Sequence, residues 1–132
     1  MAGLVMTAST LSVAGWYDQE DFRGQLKIYE HMEKFDKQNH NHIVVGPWNH
    51  GGWSRRAGDS PGRIDFMDSS GAWFGEQVQA PWLAYWLKDK GRLPLPEALL
   101  FVAGRNGWKA FDRWPPSAAE APARKLYFQA NG

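Results

Sequence analysis

The strongest constraint on this chain is a strand–helix–strand pattern in its first 50 residues, with an acid at one exit and a histidine at the other. Thr10 to Ala14 alternates small and apolar residues and ends at Gly15, which predicts a short buried strand. Phe22, Leu26, Tyr29, Met32 and Phe35 recur at helical spacing, with Glu30, Glu33 and Lys34 on the other side, which predicts a helix from about Glu20 to Phe35. His42 to Val45 is a β-branched run stopped by Gly46-Pro47, a second strand. Strands joined by a helix must run parallel, and their crossover is right-handed in nearly all proteins. Asp18 and His50 each follow the C-terminal end of a strand. Neighbouring strands lie about 4.8 Å apart, and open α/β sheets bind ligands just beyond those ends. The pattern therefore predicts that Asp18 and His50 meet.

The rest of the chain reads as a long loop, a helix and a change of composition. Gly51 to Gly71 is rich in Gly, Ser, Asp and Arg, the kind of long loop that covers a site. Trp73, Phe74, Val78, Trp82, Tyr85 and Trp86 share a helical face, kinked or restarted at Pro81 and closed by Lys88 to Gly91. Past Leu93-Pro94-Leu95-Pro96, Ala98–Val102 and Lys125–Gln129 read as strands separated by turns. The expected organisation is an α/β unit over residues 1–92 and the first strands of an all-β unit over 93–132.

Composition narrows the class of function. The net charge is +1, from 15 basic and 14 acidic residues, so no polycationic surface is available for nucleic acid. No apolar run approaches the roughly 20 residues that cross a bilayer as a helix. Met1 to Gly15 lacks the basic start of a signal peptide. Without cysteine there are neither disulfides nor thiolate metal sites, and the compartment stays open. His40-Asn41-His42 has strand-like spacing with both rings on one side, but no third ligand lies near it in the sequence, so no metal is expected.

A carboxylate beside a histidine is the acid–base half of an acyl-transfer site. The acid orients the ring and stabilises the imidazolium, and a histidine near its ordinary pKa of about 6.5 can take and return a proton. Acid before histidine is the order of α/β-hydrolases, whose serine lies upstream in a Gly-x-Ser-x-Gly turn. None of Ser9, Ser12, Ser54, Ser60, Ser69, Ser70 or Ser117 stands in that context. The nucleophile is therefore expected to lie outside these 132 residues. Asp18 has a simpler role open to it as a helix cap, with Glu20 and Asp21 in a first turn that favours acids. The eight tryptophans are mostly expected in packing, but Trp48 and Trp53 flank His50 and are candidates to wall a pocket. Trp16 and Tyr17 are expected behind the acid, and Arg55, Arg56 and Arg63 as solvated loop charges.

Two motifs, Val13-Ala14-Gly15-Trp16-Tyr17-Asp18 and Gly46-Pro47-Trp48-Asn49-His50-Gly51, resemble the acid and histidine motifs of the cocaine esterase and X-prolyl dipeptidyl-peptidase superfamily. Phe101 to Gly104, Asn106-Gly107-Trp108, Phe111-Asp112 and Trp114-Pro115-Pro116 are similar to the start of that superfamily's C-terminal jelly roll. Asp18-Gln19-Glu20-Asp21 looks most like the α-amino-acid ester hydrolases and the related glutaryl-cephalosporin acylases. The resemblance implies the last part of an α/β-hydrolase domain followed by the opening of a jelly-roll β-sandwich. It also implies Asp18 and His50 as triad acid and base, and Glu20 and Asp21 as a site for the substrate's α-ammonium group.

The function so implied is hydrolysis or acyl transfer of a small ester or amide with a free α-amino group, such as an amino-acid ester or β-lactam. Neither organic cofactor nor metal is implied. Alternatives are an X-Pro dipeptidyl-peptidase, a glutaryl acylase or a non-catalytic fragment; Glu20 and Asp21 should repel a glutaryl carboxylate. Homo-oligomers and periplasmic or secreted location occur in the superfamily, and neither is decided by this sequence.

Overall fold

A computed structural model describes residues 5–55, 66, 69–93 and 95–128. In chain order the elements are β1 (Thr10–Gly15), α1 (Phe22–Met32), β2 (Asn41–Gly46), a short 3₁₀ turn (Gly52–Ser54), α2 (Ser70–Phe74), a π-helical turn (Gly75–Gln79), α3 (Ala80–Lys88), β3 (Ala98–Val102) and β4 (Gly107–Phe111).

The first three elements form the expected unit: β1 and β2 are parallel, Thr10 opposite Asn41 and Gly15 opposite Gly46. All six residues of β2 are buried, because it has a strand on each side and is covered on both faces. Alternation then sorts the core. Ala14, Ile43, Val45, Ala98 and Leu100 face one side, where Tyr29 of α1 seals them with Phe22 and Leu26. Val44 and Leu99 face the other, under Trp48, Phe74 and Val78. Each large apolar side chain sealed in this way contributes about 1.5–3 kcal/mol.

α1 is shorter than its apolar spacing suggests. It begins at Phe22, so Glu20 and Asp21 precede the helix instead of occupying its first turn. The helical stretch around Pro81 changes type and restarts as an α-helix at Ala80. A π-helical turn over Gly75–Gln79 comes just before it, and Pro81 sits in the first turn of α3.

The second unit differs from the expectation. β3 does not open a separate sheet: Ile43, Val44 and Val45 pair in parallel with Ala98, Leu99 and Leu100. β4 then closes antiparallel on β3, giving one four-stranded sheet in the order β1-β2-β3-β4. The reason is compositional: Ala-Leu-Leu-Phe-Val is apolar at every position, as suits a strand buried on both faces. Among the described residues no jelly-roll sheet forms. The strand expected at Lys125–Gln129 is irregular through Phe128, with Leu126, Tyr127 and Phe128 exposed, and Gln129 lies outside the described residues. Most of the Gly51–Gly71 loop, Arg56 and Arg63 included, also lies outside them.

No helix among the described residues is long and apolar enough to cross a membrane.

Candidate active site

The rim beyond the C-terminal ends of β1 and β2 is laced by backbone bonds. Trp16 N–H donates to Gly46 O at 2.9 Å, Tyr17 N–H to Trp48 O at 3.0 Å and Asp18 N–H to Gly15 O at 3.1 Å. This close approach requires glycine. A Cβ on Gly15 would lie 2.1 Å from Trp48 O, and one on Gly46 would lie 2.5 Å from the Trp48 ring. The indole of Trp16 adds a tether, donating from Nε1 to Phe101 O of β3 at 2.8 Å.

Asp18 is held by three donors. Its Oδ1 accepts the backbone N–H groups of Glu20 at 2.9 Å and Asp21 at 3.1 Å. Its Oδ2 faces His50 Nδ1 at 3.2 Å. The two residues predicted from the sequence to meet are therefore in hydrogen-bond contact. Burial alone would raise the Asp18 carboxyl, but the Glu20 and Asp21 N–H bonds and the His50 ring outweigh it, so its pKa lies below the ordinary value. An ionised Asp18 fixes the proton of His50 on Nδ1. No described residue bonds to His50 Nε2, and half of the side chain is exposed. A lone pair in that position can accept a proton from a hydroxyl or a water. Among the described residues, no serine hydroxyl is bonded to His50.

The acids after Asp18 separate. Glu20 lines a pocket of about 430 Å³ with Tyr17, Gln19, Asn49, His50 and Arg55. Asp21 is not part of that lining; its Oδ2 lies 3.9 Å from His50 Nδ1, on an exposed side chain. Asp18 accepts the backbone N–H groups of both, yet only Glu20 lines the pocket.

Trp48 and Trp53 do not line this pocket. Trp48 is 1% exposed and enters the core beneath the sheet, 5.2 Å from Phe74 and 5.7 Å from Trp108, with Nε1 donating to Ser70 Oγ. The room for its ring exists because Gly46 has no side chain. Trp53 packs edgewise on Trp48 at 6.3 Å. Of the pair expected behind the acid, Trp16 packs on Phe22 and Trp114, whereas Tyr17 lines the pocket. Arg55 lines it as well, donating from a guanidinium nitrogen to the His50 carbonyl at 3.5 Å. Tyr17 and Asn49 each neighbour one of the pair in sequence, and that adjacency is the signal that locates them.

The His40/His42 pair has other work: His40 packs edge-on against Trp86, and His42 Nδ1 donates to Pro96 O at 3.2 Å. Among the described residues no group of three or more His, Asp or Glu side chains could hold a metal ion.

Comparison with known proteins reaches the segment that carries this pair. Residues 5–52, which carry β1, α1, β2 and both Asp18 and His50, match the model of the X-Pro dipeptidyl-peptidase (S15) family. An aminopeptidase from a marine-sediment Thaumarchaeota archaeon superimposes with a TM-score of 0.79 at 39% identity, over 85% of this chain and 18% of that one. An α-amino acid ester hydrolase superimposes at 0.77 with 30% identity, over 83% of this chain and 18% of the other. A protein named as a serine esterase in Mycobacterium bovis is 29% identical over 114 residues, 84% of this chain and 16% of its relative. The chain thus spans about a sixth of the length of the proteins it matches. These matches support placing the chain with the X-Pro dipeptidyl-peptidase and cocaine esterase superfamily, and the family model falls on the segment that holds the acid–histidine pair.

Proposed function

We propose that this chain supplies the acid and the base of a serine hydrolase whose nucleophile comes from outside these 132 residues. The observation that carries the reading is the 3.2 Å contact between Asp18 Oδ2 and His50 Nδ1 beyond the ends of neighbouring parallel strands. In this scheme Asp18 holds the imidazole in one tautomer and stabilises its charge. His50 takes the serine proton through Nε2 as the acyl bond is attacked, then returns it to the leaving group. The substrate is an ester or amide with a free α-amino group, whose ammonium is held by Glu20, with the charge of Asp21 nearby. A cation in a crevice needs such a counter-charge. The names of the two structural neighbours, an aminopeptidase and an α-amino acid ester hydrolase, support that substrate class. The family model supports a second reading, release of X-Pro dipeptides, which also begins with recognition of a free amine.

The test begins with the coding DNA upstream of Met1, read for a Gly-x-Ser-x-Gly series. The protein it specifies is then assayed on amino-acyl esters, X-Pro amides and glutaryl amides. Activity on amino-acyl esters that falls about 10³–10⁴-fold in Asp18→Asn supports the reading. Labelling of the 132-residue chain alone by a serine-directed fluorophosphonate would show that the nucleophile lies within it and overturn the proposal.

A further inference from the structure

The charges lining the site pocket are of opposite sign and do not meet. Glu20 and Arg55 both line it. Among the described residues neither has an ion-pair partner, and they form none with each other. The one polar contact of the Arg55 side chain is with the His50 carbonyl at 3.5 Å, which places its guanidinium on the loop of the base itself. Two unpaired opposite charges facing one cavity present a dipole to whatever enters. A ligand bearing only an ammonium group gains Glu20 but is repelled by Arg55, and a ligand bearing only a carboxylate meets the reverse. A ligand carrying both, separated by a short chain, satisfies each charge at once. A guanidinium also has the planar donor fork that matches a carboxylate.

We propose that this pocket is a dipolar subsite, selecting acyl groups that carry a side-chain carboxylate as well as the α-ammonium, of the α-amino dicarboxylic class. Glu20 holds the ammonium and Arg55 holds the carboxylate. The proposal rests on the ammonium-binding reading above and adds the second charge to it. It narrows one expectation from the sequence: a carboxylate-ended acyl chain is accepted here only where it brings its own ammonium.

The experiment uses the 132-residue chain and three matched ligands, followed by two-dimensional NMR titration of the pocket resonances. Glutamic acid α-amide has both charges, glutamine amide has the same shape without the carboxylate, and glutaramate has the carboxylate without the amine. The expected order is glutamic acid α-amide first, about threefold tighter than glutamine amide as befits an exposed charge pair, and glutaramate weakest. In Arg55→Gln the two amine ligands bind equally, and in Arg55→Lys part of the preference returns. Equal or tighter binding of glutamine amide by the parent chain overturns the dipolar subsite while leaving ammonium recognition intact. Binding of both amine ligands that is unchanged in Glu20→Gln overturns the ammonium reading itself. Absence of saturable shifts with all three ligands overturns both. The comparison within the parent chain stands even where a variant loses its dispersed spectrum.

Discussion

Two carboxylates at opposite ends of the sheet show how position decides protonation. Asp18, beyond the C-terminal ends of the parallel strands, and Glu97, just before β3 at the other end, are each 8% exposed, and burial raises both carboxyls. Asp18 collects two backbone N–H donors and an imidazole and lies below its ordinary range. Burial pushes Glu97 up to about 7; the hydrogen bond from Tyr29 works against that rise, and the charges of Glu33 and Asp36 add to it. Chain direction underlies the contrast. The loop after β1 turns its free N–H groups onto Asp18, whereas Glu97 packs under α1 against a phenol and a second carboxylate, with Asn41 bridging Tyr29 O and Glu33. One end of the sheet is built to hold a charge and the other to hold a proton.

The largest effect should come from breaking the backbone contact that makes the charged end. In Gly15→Ala the new methyl would sit 2.1 Å from Trp48 O, a backbone atom that cannot rotate aside. Urea denaturation should show a loss of about 3 kcal/mol, at the upper end for overpacking. A loss under 1 kcal/mol would mean that the two loops are not locked together as described.

Glu97→Gln tests the other end and should act in the opposite direction. The folded state favours the protonated acid, because its pKa there, about 7, exceeds the ordinary 4.5. The fold therefore binds more protons than the unfolded chain between those values, and stability declines as pH rises through that window. Gln keeps the acceptor for Tyr29 without the charge, so the variant should be more stable than the parent at pH 8, by on the order of 2 kcal/mol. The two should converge near pH 4. A parent whose stability is flat from pH 4.5 to 7 breaks the comparison.

Asp18→Asn is expected to cost less, about 1–2 kcal/mol near neutrality, because the amide oxygen can still accept the Glu20 and Asp21 N–H groups but no longer as a charge. Asp18 is depressed below its ordinary 3.8, so its contribution is present above that value and is lost as pH falls through the lower, folded value. Acid titration of stability should therefore be shallower in the variant. Equal acid limbs would remove the basis for calling this end charge-holding.

How much of this was legible in the sequence follows from the range of each signal. The β1–α1–β2 unit is written in local periodicity, and so is the meeting of Asp18 with His50, since parallel strands leave their exits side by side. The pairing of β3 with β2 joins residues more than 50 apart in sequence, and nothing local announces it. Its unbroken apolar run was the available hint. The site was half legible for the same reason. Asp18 and His50 are located by chain position, but pocket lining depends on where side chains point, which local pattern does not give for Tyr17 and Arg55. Trp48 was placed beside His50 by adjacency, while the gap at Gly46 draws its ring into the core. Glu97 gives no signal, because its neighbours Tyr29 and Glu33 come from α1 and its C-terminal end, far away in the chain.

The smallest expected effect completes the contrast. His50 is half exposed and meets the fold through one side-chain bond to Asp18, which retains two other donors. His50→Ala should thus shift the stability of the chain by no more than about 0.5 kcal/mol, as for exposed pairs generally. On the proposed mechanism the same change removes the base, so in the protein that carries the serine it should abolish most of the hydrolysis. A group that the fold barely needs, held by an acid that the fold anchors through its backbone, has the economy of a site selected for chemistry. A loss above about 1 kcal/mol in His50→Ala would instead mark the pair as a structural tie between two loops.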